Sequence, residues 1–167
     1  MCYPVEKSTS ILSEETPLRD RFKVMGEKVI AVSKNDWVKD FGADYIINEY
    51  DKVVEKVKEI TQGKMADVVL NSVGIGTWES SFDSIGLNGR LVTFGGLTGG
   101  DVNLDVQSLY LKRVKLIGSS RGTRGELKDL LSMSKELKTR IWRRFKLEEA
   151  REAIQALFAK EREAVSC

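Results

Sequence analysis

A regular alternation of strand-like and helix-like segments, beginning at Arg21, constrains this chain more than any other feature. Both prolines of the chain, Pro4 and Pro17, precede that point, so nothing after it interrupts the pattern. Val29-Ile-Ala-Val-Ser33 is a β-rich run, and Asn35 to Phe41 follows as a short helix closed by Gly42. Tyr45-Ile-Ile-Asn48 is a second strand. Tyr50 to Thr61 is a helix, with Val53, Val54, Val57 and Ile60 on one stripe and Gly63 as its stop. Asp67-Val-Val-Leu-Asn-Ser72 has the continuous apolar centre of a strand buried on both faces. Further along, the sequence predicts a helix from Thr77 to Leu87, an Asn88-Gly89 turn and a strand Arg90-Leu-Val-Thr-Phe94. A helical turn around Val106 to Leu111, a strand Lys115 to Ser119 and helices over Gly125 to Ser134 and Leu147 to Lys160 complete the alternation. Strands alternating with helices across short loops imply an α/β fold, a doubly wound parallel sheet of the Rossmann type with right-handed crossovers.

Such sheets bind ligands at the carboxyl ends of their strands, near the point where strand order reverses. The places to inspect are therefore the residues after Ser33, after Ser72 and after Phe94. Ser33 and Lys34 combine a small hydroxyl with a cation, which suits a 2′-phosphate on an adenosine ribose, whereas an Asp or Glu would select the free 2′-hydroxyl. The plain alternative is that Lys34 is one more solvated lysine. Gly74-Ile-Gly-Thr-Trp-Glu79 matches a dinucleotide fingerprint at two glycines, but Glu79 stands where the third is required, so the choice lies between a phosphate loop and a tight turn. Phe94-Gly95-Gly96 offers bare backbone to a flat ring, or a loop that needs positive φ. Arg121-Gly-Thr-Arg124 is either an anion site before a helix or an exposed pair of arginines, and Arg143 and Arg144 beside Trp142 form a small basic, aromatic patch.

Composition enters by exclusion. With 27 basic and 25 acidic residues the net charge of +2 gives no support to a nucleic-acid or anionic-membrane partner. The absence of histidine removes Ser/His/Asp and Cys/His catalysis, and two isolated cysteines, Cys2 and Cys167, cannot build a zinc site, so no zinc and no catalytic set are expected. No apolar run reaches the roughly 20 residues of a membrane span. No secretory signal is evident, and the cytoplasm is the expected location.

The ordered set of motifs resembles the cofactor domain of the medium-chain dehydrogenase/reductase superfamily, its zinc-type alcohol dehydrogenases and quinone oxidoreductases above all. Glu27-Lys-Val-Ile-Ala-Val-Ser33, Phe41-Gly-Ala-Asp-Tyr-Ile-Ile-Asn48, Asp67-Val-Val-Leu-Asn-Ser-Val-Gly74, Gly89-Arg-Leu-Val-Thr-Phe-Gly95 and Leu116-Ile-Gly-Ser119 carry the resemblance, which spans about Arg21 to Lys160. It implies a nicotinamide dinucleotide, NADP or NAD, with Ser33 and Lys34 near the adenosine ribose, Ser72, Val73 and Gly74 along the cofactor, and Phe94, Gly95 and Gly96 at the carboxamide end. Tyr50 resembles a tyrosine that quinone reductases place near the 2′-phosphate, with its register shifted by Glu49. It also implies hydride transfer involving a carbonyl, quinone or alcohol as the ancestral chemistry.

The departures set further expectations. Residues 1–20 read as a flexible leader, with one weak turn near Ile11 and Leu12, and residues 21–167 as a partial cofactor domain without a catalytic domain. The first strand and its glycine-rich loop have no counterpart in the pattern, leaving the Val29 and Asp67 strands to pair directly or another segment to fill the gap. Little activity is expected from the chain alone. The alternatives are a non-enzymatic module that pairs with itself or with a full-length relative, and a gene remnant.

Overall fold

The computed structural model describes residues 9–13, 28–132, 141 and 143–158. Its strands are β1 (Thr9–Ser13), β2 (Lys28–Val32), β3 (Tyr45–Ile47), β4 (Ala66–Asn71), β5 (Ile85–Thr93) and β6 (Lys115–Gly118). They form one parallel sheet in the order β3-β2-β1-β4-β5-β6. This is the doubly wound order, with the reversal between β1 and β4.

The expected α/β sheet is therefore present, with one correction. Of the two expected ways to close the gap left by the first strand, it is a further segment that fills it, and β2 does not pair directly with β4. Thr9–Ser13, read from the sequence as part of a leader, lies between them. It pairs with β2 from Thr9↔Lys28 to Ser13↔Val32 and with β4 from Ser10↔Val68 to Leu12↔Leu70. Two strands facing a gap would leave two rows of backbone N–H and C=O groups without partners, each missing bond costing about 1 kcal/mol net. A short Thr-Ser-Ile-Leu-Ser segment has no periodicity to mark it as a strand. Its strand character comes from the two edges that flank it.

The helices are α1 (Val53–Ile60), α2 (Trp78–Asp83), α3 (Val106–Leu111), α4 (Arg124–Ser132) and α5 (Ala150–Phe158). Period-two alternation sends Ile30 and Val32 to one face of the sheet, where Val53 and Val57 of α1 and Phe82 of α2 pack with Val69, Ile85 and Leu91. Val29, Val68 and Leu70 form a smaller cluster with Val92 and Phe94. The α1 stripe is as expected: Val53 and Val57 are buried and Val54 and Ile60 half-buried. Its end is closed at Gly63, φ 85°, whose N–H bonds the Lys58 carbonyl at 2.8 Å.

Several elements differ in detail from expectation, among them Tyr50–Lys52 and Leu147–Glu149, which are 3-10 turns leading into α1 and α5. Asp36–Phe41 is a 3-10 helix, closed by Gly42 at φ 86°. The helix expected to reach Leu87 ends at Asp83, because Ile85 is fully buried and pairs with Ala66 as the first residue of β5. The Asn88-Gly89 turn survives inside that strand. Register jumps between Ala66↔Ile85 and Val68↔Arg90, so residues 86–89 loop out, with Asn88 at φ 59°.

Candidate functional site

The carboxyl ends of β4 and β5 are tied together by one buried amide. Asn71 ends β4 and is fully buried. Its Oδ1 accepts from the N–H groups of Val73 (3.1 Å) and Gly74 (2.8 Å). Its Nδ2 donates to Thr77 Oγ1 and Ser81 Oγ, both at 3.2 Å, so the same side chain holds the loop and the helix that follows. The loop after β5 supplies the rest. Ile75 N–H donates to the Gly99 carbonyl at 3.0 Å, and Gly76 N–H to Thr98 Oγ1 at 2.9 Å. Thr77 N–H donates to the Gly74 carbonyl at 3.3 Å. Every N–H from Val73 to Thr77 is thus engaged within the protein. The Val73–Thr77 stretch is a tight turn whose backbone donors are already taken, which favours the tight-turn reading of that motif.

The glycines here are required by close approach. A Cβ on Gly95 would lie 2.3 Å from the Ser72 carbonyl oxygen, and one on Gly74, at φ 93°, would lie 2.3 Å from that of Gly99. Gly95 and Gly96 are not among the positive-φ glycines, so the positive-φ explanation of Phe94-Gly-Gly96 does not hold. The two loops pack backbone to backbone.

A cavity of about 360 Å³ opens beside this turn. Val32, Val53 and Val69 form apolar walls, and Lys34 and Tyr50 stand with Val73, Gly76 and Thr77 at its more exposed end. The Lys34 ammonium lies 5.5 Å from the centroid of the Tyr50 ring, within cation–π range. Nearby lysines are already paired: Lys52 with Glu49 at 2.7 Å and Lys56 with Glu59 at 3.1 Å. The bond from Lys52 to Glu49, reinforced by that carboxylate's charge, raises the Lys52 pKa. Lys34 has no carboxylate partner among the described residues, and an aromatic face leaves its N–H donors available to an anion.

The residues singled out from the sequence separate in space. Lys34 and Val73 line the cavity. Ser33 is fully buried, donates its N–H to the Ile47 carbonyl at 2.9 Å, and accepts from Asn35 N–H at 3.1 Å through its hydroxyl, so it shapes the turn that presents Lys34. Ser72, Gly74, Gly95 and Gly96 belong to the interlocked loops, and Phe94 packs on the cluster of Val29, Val68 and Leu70. Tyr50 belongs with Lys34 despite the register shift at Glu49. Asn71 lies inside the Asp67–Gly74 motif but was given no role there, and Thr98 and Ser84 stand in no motif.

The profile of the family described as zinc-binding dehydrogenase matches residues 22–136. This chain belongs to that family. A quinone oxidoreductase of Salmonella typhimurium is 36% identical over 120 residues, 69% of this chain and 35% of that protein. Quinone oxidoreductase 1 of Escherichia coli is 38% identical over 107 residues, 58% of this chain and 33% of the relative. The chain therefore spans about a third of these relatives' length. Among solved structures, a mycobacterial quinone oxidoreductase superposes with a TM-score of 0.79 at 25% identity, covering 93% of this chain and 54% of that one. A mycobacterial protein solved in complex with NADPH shares the fold, with a TM-score of 0.74 at 23% identity over 93% of this chain and 55% of that one.

The family description names zinc. This chain has no histidine, its two cysteines are 165 positions apart in sequence (Cys2 and Cys167), and the described residues contain no cluster of three or more His, Cys, Asp or Glu able to ligate a metal. No described helix is long and apolar enough to cross a membrane. The anion reading of Arg121–Arg124 also meets an occupied position. The Glu126 carboxylate accepts from Thr123 N–H (2.6 Å) and Thr123 Oγ1 (2.8 Å), while Glu126 N–H donates back to Thr123 Oγ1 at 3.2 Å. This capping box puts the protein's own anion at the start of α4, and those bonds lower the Glu126 pKa. Arg143 stacks on Phe145 at 4.8 Å, and Trp142 lies outside the described residues.

Proposed function

We propose that this zinc-binding dehydrogenase family member is a nicotinamide-dinucleotide-binding domain that reads the 2′-phosphate of NADP through Lys34. The observation that carries this is the Lys34 ammonium held over the Tyr50 ring at the mouth of a cavity beside the strand reversal. The cation meets the phosphate, the Tyr50 ring and apolar walls accept a flat base, and the loops joined by Asn71 and Gly95 form the edge along which the cofactor extends. Bound there, the cofactor supplies hydride-transfer chemistry, and the chain's part is to bind and orient it. A calorimetric titration of the folded chain with NADPH and with NADH tests this. NADPH should bind more tightly, and Lys34→Ala should weaken NADPH about tenfold while leaving NADH nearly unchanged, as expected for one charge-assisted contact. No binding of either dinucleotide up to millimolar concentration would overturn the reading.

Turnover by these residues alone is expected to be slight, since Lys34 and Tyr50 are the cavity's titratable lining groups. Rapid NADPH oxidation with quinones or aldehydes by the pure chain would contradict this.

A second reading, association with another copy or with a full-length relative, rests on β6. All its residues are exposed, and among the described strands it pairs with β5 alone. An open edge with Leu116 and Ile117 on it is a template for a second strand. Light scattering should show a dimer that Ile117→Lys converts to monomer, whereas a monomeric parent with no affinity for a full-length relative removes this reading.

A further inference from the structure

The cavity extends well past the mouth where Lys34 stands. Thr77, Ser80, Ser81 and Ser84 all line it, and their spacing of three, four and seven residues places them along one face of α2. At 1.5 Å rise per residue this hydroxyl rail runs about 10 Å inward, away from the carboxyl ends of the strands. Exposure falls along it, from an exposed Gly76 and half-buried Thr77 to a fully buried Ser84. Opposite lie Val53 and Val69.

The rail's outer hydroxyls are engaged. Thr77 and Ser81 accept from Asn71 Nδ2, and Ser80 Oγ donates to the Thr77 carbonyl at 3.1 Å. Ser84 differs. Its backbone is satisfied, with N–H to the Ser80 carbonyl at 3.1 Å and C=O from Ala66 N–H at 2.9 Å, yet its hydroxyl has no hydrogen-bond partner among the described residues. A buried hydroxyl without a partner is destabilising, and at the inner end of a cavity it can be satisfied by whatever enters.

We infer that the inner cavity is a binding site for a small neutral molecule with an apolar body and one hydrogen-bonding group at its end, held by Ser84. Neutrality follows from the lining, which offers hydroxyls and aliphatic carbon but no charged side chain once Lys34 at the mouth is passed. The whole cavity, mouth included, holds about 360 Å³, and one of about 150 Å³ admits benzene. The site shares Val53 and Val69 with the walls assigned above to the base, so the probes are titrated in the absence of dinucleotide.

Phenol and toluene serve as matched probes of the full chain, alike in ring and differing in the hydroxyl. In the parent protein phenol should bind about fivefold more tightly than toluene, the effect of one neutral hydrogen bond. In Ser84→Ala the difference should fall below about twofold while both probes still bind. Should that variant misfold, amide shifts in the parent give a second readout: saturable movement of Ser81 and Ser84 by phenol supports the site. The proposal is overturned if neither probe binds saturably, if phenol moves only surface amides, or if Ser84→Ala keeps the full preference.

Discussion

β4 and β6 lie on either side of β5 and both pair with it in parallel, yet their environments are opposite. Val69 and Leu70 of β4 are 1% and 4% exposed, whereas Leu116 and Ile117 of β6 are 39% and 40% exposed. The residue types are alike, so the difference comes from surroundings. β4 has β1 on its other side and α1 and α2 packed against its face, while β6 is an edge with no covering helix among the described residues. Apolar character makes a segment eligible for a core, and position in the sheet decides whether it joins one. The candidate site lies in the region where that packing is complete.

The largest expected effect tests this contrast directly. Leu91→Ala, at a fully packed position of β5, should cost about 3 kcal/mol of stability, and Ile117→Ala less than about 1 kcal/mol, read from denaturant midpoints at constant m. Equal losses would mean that β6 is covered in solution. Next in size is Asn71→Ala, which removes the buried amide joining both loops. A loss of about 2 kcal/mol is expected, together with weaker NADPH binding. If stability falls but NADPH affinity is unchanged, the loop is structural only.

A pair of glycine substitutions sharpens the same comparison. Gly95→Ala forces a Cβ against the Ser72 carbonyl and should cost about 1–2 kcal/mol. Gly118→Ala in β6 meets nothing within 4 Å and should be neutral or slightly stabilising. The smallest effect concerns α4. Because the Glu126 pKa is lowered from its ordinary 4.5 by bonds to Thr123, the stabilisation it provides is present above that value and lost as pH falls through the folded-state pKa. The protection factor of the Thr123 amide, its exchange rate taken relative to the intrinsic rate at each pH, should fall on acidification, and Glu126→Gln should flatten that dependence. Unchanged acid dependence in the variant would show that the capping box does not persist in solution.

Most elements were legible because local pattern and tertiary role agree. The Val53, Val54, Val57, Ile60 stripe marks α1, and the unbroken Val-Val-Leu run marks β4. Lys34 was also legible, since a strand's carboxyl end followed by a cation is a local feature. Tyr50 needed the fold: Glu49 disturbs its register in sequence, and only the placement of its 3-10 turn puts the ring under Lys34. The motif around Asn71 does not disclose its role, and Thr98 and Ser84 carry no motif, because their roles consist of partners, or a missing partner, contributed by separate elements.

Alone, the sequence determined the alternating pattern, the parallel sheet, the absence of histidine chemistry and the cation after β2. Tertiary structure decided three other matters. It made Thr9–Ser13 a central strand, because two flanking edges require hydrogen-bond partners that no local pattern can announce. It closed the Val73–Thr77 turn, because Asn71, Gly74 and the loop after β5 take its N–H groups. It left Ser84 facing a cavity, because burial and the lack of a partner follow from where chains meet, and no residue carries either property in its own chemistry.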